Sequence, residues 1–302
     1  MMSNSNEHFQ FTDERFADLQ MLRYRLNGFE DLTLSQQIYI YCLAKATLMG
    51  RDITFDQQGK YNLRIRKTLE AIYKHYDGDR TSDDFKALEV YLKRVWFSSG
   101  IYHHYGCEKF KPGFSEHFFY EAVSMMPETE LPLKRGETKE DLLDELVPVI
   151  FDEEILPKRV NQTDGVDLVA TSACNFYENV TQNEVERFYA KLKDGEDLTP
   201  PSYGLNSKLM KRNGEIVEMT WKEDGMYGTA IKEITSWLLK AQKYAENEQQ
   251  AHVIDLLIKY YRTGDLSDFD RYSIAWVKQQ EGMVDFINGF IEVYGDPLGL
   301  KG

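Results

Sequence analysis

The fold of this 302-residue chain is best judged from one stretch near its end, Ile287-Asn288-Gly289-Phe290-Ile291-Glu292-Val293-Tyr294-Gly295-Asp296-Pro297. Apolar residues at Val284, Ile287 and Ile291 recur at helical spacing, which predicts an amphipathic helix. The helix is predicted to end at Gly295-Asp296-Pro297, because proline has no N–H to donate and disfavours helical geometry in the residue before it. Glu292 and Tyr294 are therefore expected at a helix end, two positions apart, where a regular helix does not place them on one face.

The composition is that of a globular protein with a large core, since 42% of the residues are hydrophobic and 13% are aromatic. The net charge of −14 argues against nucleic acid as a partner and favours a cationic one, such as the ammonium group of a peptide. No apolar run is long enough to cross a bilayer, so no membrane partner is expected. The first residues do not resemble a signal peptide and the three cysteines are scattered. We therefore expect the protein to be located in the cytoplasm, or in the periplasm if a signal sequence had been removed.

A helical pattern extends from residue 12 to about residue 131. Phe16, Leu19, Leu22 and Leu26 form a stripe that predicts a first helix, ending at Asn27-Gly28. Two further helices are predicted at residues 62–76 and from Ser82 to Ser99.

A capping box predicts another helix between these. Thr33 pairs with Gln36 in the box, and the helix should end at Gly50. Its predicted core-facing residues are Ile40, Leu43, Ala44 and Leu48.

Residues 138–225 have a mixed pattern. Thr138 and Asp141 start a short helix, an extended stretch is predicted between Pro148 and Pro157, and residues 166–171 are predicted as a strand.

A second capping box and a hairpin follow in the same region. Thr181 and Glu184 start a helix that should end near residues 194–195. Asn213-Gly214 predicts a tight hairpin between strands at 202–211 and 215–221. Helices are predicted again at 229–245, 247–262 and 268–293, with a turn at 294–302. The expected fold is therefore one α+β domain over residues 1–302, predominantly helical with a small β core.

The quoted stretch resembles the signature G-F-I-E-S-Y-x-D-P-x-G of the dipeptidyl peptidase III family of zinc exopeptidases, most closely its Bacteroides-type members. One position departs from the signature, because Val293 stands where the family has serine. The resemblance spans nearly the whole chain. It also includes Gly50-Arg51-Asp52-Ile53, Phe97-Ser98-Ser99-Gly100-Ile101-Tyr102-His103-His104-Tyr105-Gly106, Lys109-Phe110-Lys111-Pro112-Gly113-Phe114 and Tyr203-Gly204-Leu205-Asn206-Ser207-Lys208-Leu209.

The resemblance implies roles for two residues of the signature. The carboxylate of Glu292 would bind the N-terminal ammonium of a short peptide, and the hydroxyl of Tyr294 would donate a hydrogen bond to the developing oxyanion. It also implies the fold of the family's lower lobe, with a small β core or barrel.

The family's zinc is held by H-E-x-x-G-H and E-E-C-R-A-E, and neither string occurs in these residues. We therefore interpret the chain as the N-terminal, lower-lobe half of such a peptidase. Its predicted partners are short peptides with a free N-terminus and the missing C-terminal zinc lobe. The chain alone is predicted to bind no zinc and to be inactive.

Two aromatic residues are further candidates for peptide subsites, Tyr105 and Trp276, although the helical spacing of Trp276 is equally typical of a core residue. The neighbouring His103, His104, Cys107 and Glu108 suggest a metal site. We reject it, because adjacent histidines point in different directions and no second ligand pair follows at zinc-like spacing.

Two other functions are compatible with the sequence. The chain could be a non-catalytic peptide-binding or interaction protein derived from the family. It could also be an unrelated hydrolase using carboxylates such as Asp164 or Asp167, although no paired acids stand out from the general acidity.

Overall fold

The computed structural model describes residues 9–193, 195–289 and 295–301, and it confirms an α+β fold that is mainly helical. The described helices are α1 (Leu34–Met49), α2 (Arg51–Gln58), α3 (Asn62–His75), α4 (Asp83–Ser98), α5 (Glu116–Met125), α6 (Lys139–Phe151), α7 (Gln182–Ala190), α8 (Gly228–Gln242), α9 (Glu248–Thr263) and α10 (Leu266–Lys278). The described strands are β1 (Thr12–Phe16), β2 (Leu19–Leu22), β3 (Tyr177–Glu178), β4 (Ser207–Arg212) and β5 (Glu215–Thr220). Across these residues, no helix is both long and apolar enough to span a membrane.

The first predicted helix is wrong. Residues 12–22 form an antiparallel hairpin of β1 and β2, which turns at Ala17, a residue with φ of 50°. Of the predicted apolar stripe only Phe16 is buried, while Leu22 and Leu26 are exposed. A helix in this region would thus have had little apolar surface to bury, and helices gain most of their stability from such burial.

The helix starts that were predicted from capping residues are confirmed. Thr33, Thr138 and Thr181 each accept a hydrogen bond from the backbone N–H three residues later, and each forms a capping box. Ser82 caps α4 in the same way. The buried face of α1 differs from the prediction, however. It consists of Tyr39, Cys42 and Ala46, whereas Ala44 and Leu48 are exposed.

Two predictions for the middle of the chain are also wrong. Pro148 lies inside α6, which continues to Phe151, so no extended stretch starts at this proline. Residues 166–171 form turns instead of a strand, and the Asp167 carboxylate accepts hydrogen bonds from the backbone N–H groups of Val169, Ala170 and Gln182. An aspartate that bonds nearby N–H groups favours a turn over a strand ladder.

The hairpin through Asn213-Gly214 is confirmed. Both residues have positive φ, 51° and 85°, as a tight two-residue hairpin turn requires. β4 pairs antiparallel with β5 and parallel with β3, which gives a three-stranded sheet in the order β3-β4-β5.

The last predicted helix is shorter than expected. α10 ends at Lys278, and residues 279–289 are irregular. The carboxylate of Glu246 accepts hydrogen bonds from the backbone N–H groups of Met283 and Val284, and the indole of Trp276 donates to the carbonyl of Phe286 at 3.0 Å. Side chains thus satisfy backbone groups that a helix would have bonded internally.

The buried apolar residues form two large cores. The first takes its members from residues 55–173, chiefly α3 to α6. The second combines α1 with α8, α9 and α10, and includes Cys174 and Phe176. Ala173 and Cys174 are consecutive but belong to different cores. A smaller cluster packs α7 against β4.

Candidate functional site

A polar cavity of about 330 Å³ lies where the two cores meet. Helix α2 contributes Thr54 and its last two residues, and the C-terminal end of α4 and the loop after it also line the cavity. The described residues that line it are Thr54, Gln57, Gln58, Phe97, Ser98, Ser99, His104, Arg159, Phe176, Gly289 and Gly295.

The two predicted site residues of the signature, Glu292 and Tyr294, lie outside the described residues. The described residues on either side of residues 290–294 are Gly289 and Gly295, and both line the polar cavity. The chain therefore reaches this cavity immediately before the signature's Glu and Tyr positions and again immediately after them.

The backbone of Arg159 is held on both sides by hydrogen bonds to other parts of the chain. Its N–H donates to the carbonyl of Cys107 at 2.9 Å, and its carbonyl accepts from the N–H of Cys174 at 3.0 Å. One residue further on, the N–H of Asn175 donates to the carbonyl of Gln57 at 2.8 Å, at the end of α2. Three distant parts of the chain are thus joined, and Arg159 has a fixed position in the cavity wall.

The Arg159 side chain is only 4% exposed. Its guanidinium donates to the side-chain oxygen of Gln58 at 3.0 Å and to the carbonyl of His104 at 3.3 Å, and one nitrogen lies 3.5 Å from the sulfur of Cys107. All three acceptors are uncharged groups, so the contacts orient the guanidinium without neutralising it.

Four buried polar atoms of the cavity have no hydrogen-bond partner among the described residues. They are Gln57 Nε2, Ser98 Oγ, His104 Nδ1 and Arg159 Nε. Buried polar groups are nearly always paired, because an unmet group costs about 1–3 kcal/mol. Their concentration in one cavity indicates a site that is completed by a polar ligand or by water.

The loop at His103 and His104 provides no metal site. His103 Nδ1 accepts the backbone N–H groups of Tyr105 and Gly106 at 3.2 and 2.9 Å, so that nitrogen has a structural role. The ring of His104 stacks on that of His103, with centroids 4.5 Å apart. Within residues 9–193, 195–289 and 295–301, no group of three or more His, Cys, Asp or Glu side chains could hold a metal ion. The zinc expected for the family does not fit these residues.

Tyr105 is 86% exposed and lies beside a second, wider cavity of about 700 Å³. That cavity is also lined by Lys158, Gln162, Asp296 and Pro297. The described residue Gly295 of the first cavity is followed directly by Asp296 and Pro297 of the second. Tyr105 is therefore accessible to a ligand, and its role as a peptide subsite stays a prediction.

Trp276 is half-buried and packs against the second core. Its indole N–H bonds Phe286, three residues before Gly289, so it supports the segment that leads to the polar cavity without lining that cavity itself. A direct contact between Trp276 and a peptide stays a prediction.

An apolar cavity of about 400 Å³ adjoins the polar one. Thr54 and Gly289 line both cavities. Leu48, Leu238 and Ile287 form part of the wall of the apolar cavity. A polar site with an apolar neighbour is suited to a ligand that alternates polar backbone with side chains, such as a peptide.

Asp296 has a structural role that the sequence did not reveal. In the sequence, Asp296-Pro297 predicts a helix stop and matches the D-P of the family signature. Its buried carboxylate accepts hydrogen bonds from the Tyr177 hydroxyl at 2.9 Å and from the N–H groups of Leu300 and Lys301 at 2.7 and 3.0 Å. An Asp before Pro in a turn is a local signal for such bonding. Arg159 and Gln57 gave no comparable signal.

Comparisons with known proteins agree with the fold. A family model described as Peptidase family M49 matches residues 199–302. Dipeptidyl peptidase 3 of Dictyostelium discoideum is 22% identical over 92% of this chain, and Dipeptidyl peptidase 3 of Homo sapiens is 22% identical over 91%. The chain spans only 42% and 41% of the length of these relatives.

A solved structure has a similar fold. The structure of DPP III from Caldithrix abyssi matches 92% of this chain and 39% of that chain, with a TM-score of 0.57 and 17% sequence identity. At this identity the likeness establishes the fold alone.

Proposed function

Because residues 199–302 match the model of peptidase family M49 and most of the chain is similar to dipeptidyl peptidase 3, we propose that it provides the peptide-binding side of a dipeptidyl peptidase. The ligand would be a short peptide with a free N-terminus. The observation that carries the proposal is the position of Gly289 and Gly295, which lie on either side of Glu292 and Tyr294 in the sequence and line a cavity with four polar atoms that have no partner among the described residues.

Two signature residues have distinct roles in this proposal. The Glu292 carboxylate binds the N-terminal ammonium of the peptide, which explains how an exopeptidase measures from the free end. The Tyr294 hydroxyl donates a hydrogen bond to the carbonyl oxygen as it gains charge, and one such donor typically contributes about 3–4 kcal/mol. Val293 replaces a polar residue of the family between them, so peptide contacts at that position would be apolar.

The family's metal chemistry is not assigned to these residues. They contain neither H-E-x-x-G-H nor E-E-C-R-A-E, and their described part offers no metal-binding group. The proposal therefore gives this chain the binding of the peptide, and zinc would be held by other residues. We expect the 302 residues alone to release no dipeptide, and we expect the protein in a reducing compartment such as the cytoplasm.

Calorimetric titration with a tetrapeptide tests the proposal. The free peptide should bind at least tenfold more tightly than its N-acetylated form, because acetylation removes the ammonium group. Glu292→Gln should abolish this preference, whereas Glu281→Gln, which removes the same charge from an exposed residue outside the polar cavity, should retain it. Equal affinity of the unchanged chain for both peptides would contradict the ammonium-binding role.

A second candidate is a non-catalytic peptide-binding protein derived from the family, for which the buried polar groups of the cavity would be sufficient. Assay of the complete gene product distinguishes the two. Stoichiometric zinc with release of N-terminal dipeptides supports the peptidase, and peptide binding without zinc or turnover supports the alternative.

A further inference from the structure

We propose that Arg159 forms a carboxylate-binding subsite in the polar cavity, where it would bind a carboxylate of the peptide ligand. The inference rests on the proposed function for the nature of the ligand. The site itself is argued from the structure, and the carboxylate could be the C-terminus of a short peptide or an acidic side chain.

The environment of Arg159 differs from that of the other well-buried arginines in the described chain. Arg64 forms ion pairs with Glu137 and Glu145, and Arg66 forms ion pairs with Asp52 and Glu70. Arg159 is as buried as Arg66, yet the described residues give it only neutral acceptors.

A buried guanidinium without a counter-charge is energetically unfavourable. Removing one partner of a buried ion pair typically costs about 3–5 kcal/mol, because the remaining charge is uncompensated. A lysine could release its proton, but arginine remains charged in proteins. Arg159 is therefore a preformed anion site without an acidic partner among the described residues.

The other groups of the cavity suit a carboxylate. Gln57 Nε2 is a buried donor without a partner, and Ser98 Oγ is a buried hydroxyl without one. A carboxylate has about four acceptor positions, so it can accept from both of these groups and from Arg159 Nε.

Arg159 is also the only charged side chain among the described residues that line the cavity. Burial, and then the nearby His103, lower the pKa of His104, so its imidazole is neutral at pH 7. No described acid competes with a ligand in this cavity, although the chain as a whole carries a net charge of −14. The attraction for an anion in this cavity therefore comes from Arg159 and not from the overall charge of the chain.

Titration with three tetra-alanine derivatives tests this inference. Tetra-alanine with a free C-terminus should bind at least tenfold more tightly than its C-terminal amide. An amide with one glutamate in place of an alanine distinguishes the two carboxylate sources. Its affinity should match the free acid if an acidic side chain is the ligand, and should match the amide if the C-terminus is.

Arg159→Gln should remove the preference for a carboxylate, and Arg159→Lys should retain part of it. Sodium acetate is a second probe, since it should raise the melting temperature of the unchanged chain but not of Arg159→Gln. A tenfold preference in the unchanged chain that survives Arg159→Gln would overturn the assignment. Equal binding of acid, amide and glutamate peptides, together with no stabilisation by acetate, would also overturn it.

The failure of this inference is distinguishable from failure of the proposed function. A preference for the free over the N-acetylated peptide without any preference for a carboxylate would refute the Arg159 subsite alone. A carboxylate preference that depends on Arg159, without discrimination at the N-terminus, would refute the ammonium site alone. In Arg159→Gln, a retained preference for the free N-terminus would also establish that the variant is folded.

Discussion

Tyr177 and Asp296 are hydrogen-bonded at 2.9 Å, across 119 positions of sequence. Burial, and then the charge of Asp296, raise the pKa of Tyr177, so its hydroxyl keeps the proton that it donates. Tyr177 lies on β3, and Asp296 follows Gly295 in the signature. This bond therefore attaches the turn at Asp296-Pro297 to the three-stranded sheet. The position of that turn at the cavity therefore depends on one buried carboxylate.

Asp296→Asn should lower the free energy of unfolding by about 1–3 kcal/mol. The amide group would replace one oxygen that now faces the N–H groups of Leu300 and Lys301 or of Leu298. Urea unfolding measures the change, with Asp164→Asn at an exposed turn as the control. Equal stability of the two variants would contradict the structural role of Asp296.

Gly100→Ala should destabilise the chain by about 1–3 kcal/mol. A Cβ atom at Gly100 would lie 2.2 Å from Nδ2 of the buried Asn62, and its φ of 156° disfavours a side chain. Asn62 in turn accepts the N–H of Ile101 at 3.3 Å, so the strain would reach the loop that carries His104.

The matched control is Gly195→Ala, since no heavy atom lies within 4 Å of a Cβ atom there. Thermal unfolding of both variants tests the prediction. If Gly100→Ala melts together with the control, the close approach of Gly100 to Asn62 does not constrain the chain.

Glu246→Gln should weaken the hydrogen bonds that hold residues 279–289, the segment between α10 and the polar cavity. Amide exchange at Met283 and Val284 should become about tenfold to a hundredfold faster, because hydrogen bonds to a charged acceptor contribute about 1.5–3 kcal/mol. Hydrogen exchange followed by mass spectrometry measures the effect, with Glu233→Gln on the exposed face of α8 as the control. Unchanged protection of residues 283–284 would exclude this role for Glu246.

The same segment should respond to acid. Burial raises the pKa of Glu246, but hydrogen bonds from Met283, Gln36 and Val284 outweigh it, so the pKa is lowered overall from 4.5. A carboxylate with a lowered pKa stabilises the fold above its unfolded pKa and loses that contribution as the pH falls through its folded pKa. Protection at residues 283–284, measured relative to the intrinsic exchange rate at each pH, should therefore fall below pH 4.5, and Glu246→Gln should not show this fall.

Lys301 should make the stability of the chain rise between about pH 8 and pH 9.5. Burial lowers its pKa from 10.5 to about 8 in the folded chain. Above pH 8 the unfolded chain then binds more protons than the folded one, so unfolding becomes less favourable by up to about 1.4 kcal/mol per pH unit. Below pH 8 both states are protonated and this contribution to the slope disappears.

Lys301→Met provides the reference for this effect. The difference in unfolding free energy between the unchanged chain and the variant should move in favour of the unchanged chain as the pH rises from 8 to 9.5. Taking the difference between the two proteins cancels the contribution of other titrating groups. These include Tyr189, whose hydroxyl accepts a hydrogen bond from the Lys301 ammonium at 2.7 Å. A difference that is constant with pH would mean that Lys301 keeps its ordinary pKa.

Helix starts were predictable because their determinants are local. Thr33, Thr138 and Thr181 each bond a backbone N–H three residues away, and Asn213-Gly214 supplies its own turn geometry. The hairpin of β1 and β2 and the end of α10 were not predictable. Their backbone groups are satisfied by another strand or by distant side chains such as Glu246 and Trp276, and no local pattern encodes those contacts.

The candidate site was predictable only in part. The sequence directed attention to residues 289–299, of which Gly289 and Gly295 line the polar cavity and Asp296, Pro297 and Gly299 line the wider cavity beside Tyr105. Gln57, Ser98 and Arg159 are brought together from α2, α4 and an irregular segment. Ser98 lies in one of the stretches that resemble the family, but neither Gln57 nor Arg159 belongs to a motif, and the lack of a counter-ion for Arg159 among the described residues is a property of the folded chain.

The division of the two cores at Ala173 and Cys174 has a consequence for biosynthesis. The first core can close as soon as residue 173 has left the ribosome, because all its members precede Cys174. Helix α1 is made earlier but packs mainly with α8 in the second core, so its apolar face must wait until Gln242 at the end of α8 has been made. During that interval α1 is the segment of the nascent protein with the greatest need for a chaperone.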